Sequence, residues 1–481
     1  MKNDFSKGSV IRNILKLAVP MTLAQLINIL YNVIDRIYIG QIPNNATEAL
    51  TGLGITLPII SIIIAFANLF GMGGAPLFSI YRGRGNDKEA EFIMGNTFVM
   101  LLVSGIILTI LGLLIKEPLL FLFGASEVTF PYANEYITIY LLGSIFVMIG
   151  LGMNSFINAQ GFGKIGMITV ALGAVANIVL DPFFIFVLNL GVKGAAIATI
   201  ISQFLSAIWI FRFLTGKKAI IKLRPAAFKL KWKRLMKIVS VGMSGFIMSA
   251  TNSVVQIIGN STLQSYGGDI YVGVMTVINT IREIIVMPVN GLTSGAQPVM
   301  GYNYGAREYS RVRKAITFVS IVCIVYTSLS WLILNLFPKF FISIFNKDPE
   351  LLNLAIPSLK IYFFGFFMMS LQFAGQAIFV ALGKSRQAVF FSLFRKVIIV
   401  VPLTIFLPRL YNLGATGVFY AEPLSNFIGG TACYVTMLLT VWKELKEKER
   451  KRHERSLEHL PTDQTVNKRA DGHIKIQQAE G

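Results

Sequence analysis

The chain has 481 residues, of which 54% are hydrophobic and 14% charged, with a mean hydropathy of +0.64. Soluble domains carry about 25% charged residues, so this composition excludes an ordinary soluble protein and predicts a multi-pass membrane protein. The net charge of +20 does not indicate nucleic acid, because the basic residues alternate from loop to loop, as membrane orientation requires.

Taken in chain order, twelve apolar segments are predicted to span, at about 14–39, 50–80, 92–115, 132–158, 165–188, 193–214, 236–264, 271–301, 314–337, 354–381, 387–407 and 414–441. Each is long enough to cross a bilayer core as a helix of about 20 residues. The polar start runs straight into a full-length span, and no cleavable signal peptide is read. Six basic residues fall in one set of loops: Lys116, Lys193, Lys339, Lys347, Lys360 and Arg409. Arg36 and Arg282 are taken to be the basic residues within spans, and the remaining cations lie on the opposite face with both termini. Both ends are therefore expected in the cytoplasm, with the chain multi-pass in the cytoplasmic (inner) membrane and taken as a monomer.

The first span holds Pro20, Asn28, Tyr31 and Asp35. A carboxylate inside the bilayer costs at least about 2.5–3.5 kcal/mol, and such groups mark ion or substrate pathways. Pro20 removes a helix hydrogen bond and favours a kink, which makes it a candidate hinge. The fourth span carries Asn154 and Asn158, four apart on one face, with Met153 and Phe156 beside them. In the fifth span Asn177 and Asp181 share a face by the same spacing. With Asp35 and the Thr199 hydroxyl of the sixth span they make an oxygen set suited to H⁺ exchange or to Na⁺. Tyr31, Met153 and Phe156 offer adaptable apolar contacts for an organic substrate. The basic stretch 212–237 is read as an inter-lobe linker and lipid-facing anchor. Glu283 of the eighth span and Glu422 of the twelfth are candidates to face a cavity and attract a cation. Cys323 and Cys433 lie in spans and imply neither a disulfide framework nor a metal cluster. All three histidines, His453, His459 and His473, lie in the polar tail from Trp442 onward, which is expected to begin as a surface helix. With no imidazole in a span, haem, zinc and histidine-based nucleophile chemistry are not expected. The GKS at 383–385 lacks the glycine that a phosphate loop needs five residues earlier.

The chain repeats itself. ILK at 14–16 answers LMK at 235–237, IYLLGS at 139–144 answers IYFFGF at 361–366, INAQGFGK at 157–164 answers IFVALGK at 378–384, and LNLGVKGAAIAT at 188–199 answers YNLGATGVFYAE at 411–422, every offset falling between 220 and 223. Six spans per half place both halves in the same orientation, with substrate sites expected between them near mid-depth. Four regions follow: an N-terminal lobe 1–212, a linker 213–235, a C-terminal lobe 236–441 and a charged tail 442–481. Asp35 answers Gln256 and Asp181 answers Val401, so the first lobe keeps acids that the second lacks at matching positions, and ion coupling is expected in the first lobe.

These stretches carry a resemblance. VP…LYNVIDRIYIG, GRGNDKEA, NAQGFGKIGM, NIVLDPFFIF, GVKGAAIAT, GAQPVMGYNYGA and LGATGVFYAEP, in this order and spacing, resemble the multidrug and toxic compound extrusion (MATE) transporters, and look most similar to the bacterial multidrug-exporting branch. The resemblance implies an all-α, twelve-helix, two-lobed antiporter, not an enzyme, that exports organic and often cationic compounds against H⁺ or Na⁺ without a cofactor. It implies a cation-coupling site at Asp35, Asn177, Asp181 and Thr199, which would also be the Na⁺ site, and a drug cavity at Asn28, Asn154 and Asn158. The Pro20 position matches the family's bending proline. The seventh and tenth spans lack Asp and Glu, unlike branches that couple through the second lobe. The rival expectation is a lipid-linked precursor flippase of the same superfamily. It is disfavoured because such a protein would be expected to show extra spans or a cationic cavity for pyrophosphate, whereas only Arg36 and Arg282 are counted as basic within spans and acids outnumber them. A membrane enzyme and a non-transporting scaffold stand further off.

Overall fold

The computed structural model describes residues 4–43, 46–345, 348–410 and 413–458. Lys347, His459, His473 and the Tyr411–Asn412 end of the repeat lie outside the described residues, as does the tail beyond 458. Every regular element is a helix, with no strand among the described residues.

In the first half, α1 (Val10–Ile39), α2 (Ala46–Gly83), α3 (Asp87–Leu122), α4 (Phe130–Leu142), α5 (Ser144–Ala159), α6 (Gly163–Pro182) and α7 (Gly191–Thr215) follow in turn. Helix α1 shows why these segments form spans rather than core helices. Ile11, Leu15, Val19, Leu23, Leu26, Leu30, Val33 and Ile37 recur three or four residues apart, and all are exposed. Such a stripe would be buried in a soluble helix; here its solvent is lipid. The opposite face buries Ile14, Leu17, Ala18, Pro20, Ala24 and Asp35. Helix α1 runs unbroken through Pro20.

The second half begins with α8 (Trp232–Gly305), 74 residues long. At 1.5 Å per residue a straight helix of that length would be several times the roughly 30 Å of a bilayer core. It is two spans, divided where Gly268 takes φ 68° and ψ −167°, a conformation that side chains resist. Then come α9 (Tyr309–Leu336), the short α10 (Pro338–Ser343), α11 (Pro349–Tyr362) and α12 (Phe366–Ala381). Helix α13 (Ser385–Leu393) continues through a π-type turn into α14 (Val401–Phe406), and α15 (Ala415–Ser425) likewise into α16 (Thr431–Met437) and the tail helix α17 (Lys443–Glu458). Two spans are bent pairs: α4 and α5 meet at 55°, α11 and α12 at 51°. With each bent pair taken as one span and α8 as two, the described helices make the twelve spans read from the sequence.

Both described ends lie on one face. The Asp4 carboxylate accepts a hydrogen bond from the Tyr302 hydroxyl at 3.1 Å, and Arg311 donates to the Phe5 carbonyl at 2.9 Å. Arg452 of α17 reaches Glu308 at 2.8 Å. The same face holds the two halves together. Backbones there approach so closely that a Cβ on Gly242 would stand 1.7 Å from the Leu69 carbonyl oxygen, and one on Gly83 would stand 1.9 Å from that of Tyr302. Arg82 sits over the rings of Phe5 and Tyr302, at 5.6 and 5.1 Å, and closes the seam. The linker is tied down rather than loose. Gln160 Oε1 accepts from the backbone N–H groups of Ile220 and Ile221, and the Asn96 amide donates to the carbonyls of Ala227 and Lys229. Arg234 then grips Glu89 with two bonds of 2.9 and 2.8 Å.

Candidate functional site

The two isolated acids of the first half come together. Asp35 on α1 and Asp181 at the end of α6 are both buried, with their carboxyls facing each other at hydrogen-bonding range. Helix α6 is interrupted at this point: Pro182 follows, and residues Phe183–Val187 widen into a π-type turn. The Asn177 amide donates to Asp181 Oδ1 at 3.1 Å and to the Thr199 hydroxyl of α7 at 3.4 Å. Asp35 Oδ1, Asp181 Oδ2 and Asn177 Oδ1 are buried without a hydrogen-bond partner. Three orphaned oxygens converging with a hydroxyl fit a small cation. Arg36, next in sequence to Asp35, is exposed and lies on another side of α1. Among the described residues neither acid forms a salt bridge.

Three tyrosines close the site. Tyr31 is near enough to both carboxyls to feel their charge, and the Tyr136 hydroxyl is hydrogen-bonded to Thr199. Tyr136 and Tyr140 stack at 6.2 Å. Tyr136 and Tyr140 were not singled out in the sequence. Their i, i+4 spacing on an apolar helix was the available signal.

Beside this site lies a cavity of about 230 Å³, lined by Asn28, Tyr31, Asn154, Asn158, Asn177 and Thr199. The Asn154 and Asn158 carbonyl oxygens have no partner, so the cavity presents free acceptors. Gly166 makes room for both: a Cβ there would stand 2.3 Å from Asn158 Oδ1. Met153 is a correction. It is 1% exposed, packs in the first-half core, and lines neither this cavity nor the larger one described next. One residue of helix turns a side chain by about 100°, so Asn154 faces the cavity while Met153 faces the packed side. Phe156 is likewise core, edge-on to Phe78 at 5.5 Å. Met21 and Met167 stand at the cavity instead.

Glu283 is not with this group. It lines a second, larger cavity of about 490 Å³, walled by α1 and by helices of the second half. Gln25 and Asn28 of α1 line both cavities, so the two adjoin. The wall of the larger one corrects the expectation of few cations within spans. Arg395 and Lys396 lie inside the span that begins at Ser385, and both are buried on the cavity wall. Glu422 does not stand free to attract a cation. Its Oε1 accepts from Arg395 at 3.0 Å and Lys396 at 3.1 Å, with Arg282 at 3.8 Å. The ground given for setting aside a cationic cavity is therefore overturned.

Two repeated bundles, bent spans, and a central cavity beside buried polar groups define a two-lobed, twelve-helix membrane transporter. The MatE family model matches residues 20–183 and again 246–406, one stretch in each half, and the chain belongs to that family. It is 25% identical over 440 residues to the Multidrug export protein MepA of Staphylococcus saprophyticus, covering 91% of this chain and 95% of that one. To the protein of the same name from Staphylococcus aureus it is 23% identical over 440 residues, with the same coverage. Among solved structures it superposes on an outward-facing multidrug resistance MATE family transporter of the MOP superfamily with a TM-score of 0.85, at 22% identity, covering 92% of this chain and 98% of that one.

Proposed function

We propose that the protein is a multidrug efflux antiporter of the cytoplasmic membrane, with both termini in the cytoplasm, driven by inward H⁺ or Na⁺. The observation that carries the coupling is the Asp35–Asp181 pair. Two carboxylates at that range repel unless a proton or a small cation sits between them. Asn177 and Thr199 add neutral oxygens, so either ion is accommodated. The names of the staphylococcal relatives support organic drugs as the cargo, and the asparagine-lined cavity beside the acids supports the place.

The cycle follows from that pairing. With the termini in the cytoplasm, the closed seam serves as the cytoplasmic gate. An ion entering from outside relieves the carboxylate repulsion and draws α1 toward α6, which reshapes the cavity wall at Asn28 and Tyr31 and favours drug release. Return to the inward-open state releases the ion to the cytoplasm. Pro20, two turns before Asn28, is the place where α1 would bend. The ion must bind the two states with different affinity, or no work is done.

The test is dye export. Cells expressing the wild type are expected to extrude ethidium, and Asp181→Asn is expected to reduce the rate at least about tenfold, the loss of a group acting as a unit with its partner. Proteoliposomes with an imposed H⁺ or Na⁺ gradient would name the ion. Export that survives Asp181→Asn unchanged sinks the coupling role.

A further inference from the structure

We propose that the C-terminal lobe holds a carboxylate-recognition subsite, formed by Arg282, Arg395 and Lys396 on the wall of the larger cavity, so that amphiphilic zwitterions are cargo alongside simple cations. The export reading supplies its biological sense, but the subsite stands on separate residues.

The argument begins with charge. One carboxylate, Glu422, serves three cations. The other partners of Arg395 are neutral: the Asn426 amide oxygen at 2.8 Å and the Ser425 hydroxyl at 3.4 Å. Among the described residues, Lys396 Nζ bonds only the two Glu422 oxygens. The Arg282 guanidinium meets the neutral Tyr362 hydroxyl, and its Nε is buried with no partner. Glu283 stands exposed on the same wall and makes no salt bridge among the described residues. Three basic side chains against these two acids leave one without an acid of its own, inside a span. A buried charge is costly unless it is paired, and all three cations border one cavity. A monovalent anion entering that cavity would supply the missing charge.

A carboxylate suits the geometry better than a spherical ion. The Arg282 guanidinium offers a planar fork of donors with its Nε unused, and such forks match a carboxylate's two oxygens. The cavity has the size of drug-binding sites, and Met248, Met275, Val286 and Phe373 supply apolar wall for the rest of a molecule. Glu283, on the same wall, can take a cationic end. A zwitterion brings no net charge, so it suits the wall by local pairing, its carboxylate set among the three basic side chains and its cationic end at Glu283.

The experiment uses a matched pair of dyes, rhodamine 110, a zwitterion with a free carboxylate, and rhodamine 123, its cationic methyl ester. Equilibrium binding to the purified full chain in nanodiscs is read by fluorescence polarisation. The wild type is expected to bind the acid about tenfold more tightly relative to the ester, the effect of a charge-assisted pair. Lys396→Met is expected to bring that ratio to about one, and Lys396→Arg to retain it. If Lys396→Met does not yield folded protein, Arg282→Gln at the cavity edge carries the same comparison. Equal affinities in the wild type, no binding of either dye, or a ratio unmoved by both substitutions would overturn the subsite. Ethidium has no carboxylate, so its export reports on efflux alone. Efflux without a dye preference removes only the subsite, and a dye preference without efflux removes only the export reading.

Discussion

At the scale of single residues, the roles divide by which way a side chain turns from its helix. Asn154 and Met153 are neighbours in sequence, yet one borders the drug-sized space and the other fills the core. Met153→Leu is therefore expected to leave the drug range unchanged, at a stability cost below about 1.5 kcal/mol for a volume-conserving swap. Asn154→Leu is expected to change the range while expression holds. Gly166→Ala makes a sharper case, since its Cβ would stand 2.3 Å from Asn158 Oδ1. The displaced amide is expected to weaken dye binding several-fold, read by fluorescence titration; unchanged titrations would mean that Asn158 does not touch cargo. Asp35 and Asp181 could be read from the sequence because a charge in an apolar run is conspicuous. Arg395 and Lys396 carry the same signal, with apolar residues on both sides inside the segment 387–407, yet they are missing from the two basic residues expected within spans.

At the scale of helices, the closed seam depends on positions that have no side chain. Helix α2 and the two limbs of α8 meet where Gly73, Gly83, Gly242 and Gly305 let backbones touch. Any Cβ at Gly83 would collide with backbone, which cannot give as a side-chain tip can. Gly83→Val is expected to hold the halves apart at this face. Spin-label distances between the ends of α2 and α8 would lengthen, and dye export would fall at least about tenfold because the cycle loses one of its states. A seam of unchanged width in the variant would show that the close approach is not required. None of this was visible in the one-dimensional pattern, where these glycines read as ordinary punctuation of apolar spans.

At the scale of the whole molecule, both described ends are tied to the face where the halves meet. The Asp4 carboxyl is pushed up by burial, but its bonds from Ser6 and Tyr302 outweigh that and hold it below the ordinary aspartate range. The bond from Arg452 holds Glu308 below its usual value of 4.5, against the opposing effect of burial. A carboxylate with a depressed value stabilises the docked form above its ordinary range and loses that contribution as pH falls through the lowered value. Docking of α17 is therefore expected to be constant from neutral pH down to about 4.5, the free-chain value for Glu, and to weaken below it. Hydrogen exchange of residues 443–454 would report this, and Arg452→Ala is expected to raise exchange most at neutral pH and less as Glu308 becomes protonated.

The twelve spans, the duplication and the pairing of acids with amides were determined by the sequence alone. Hydrophobic length and the cost of a buried charge are local properties, so they show in a linear pattern. Only the tertiary structure decided that Asp35 and Asp181 face each other, that Tyr136 and Tyr140 close that site, and that Arg282, Arg395 and Lys396 converge on Glu422. Those facts depend on which helix faces meet across hundreds of residues, and the choice of faces is made by backbone approach and packing, which no single segment encodes.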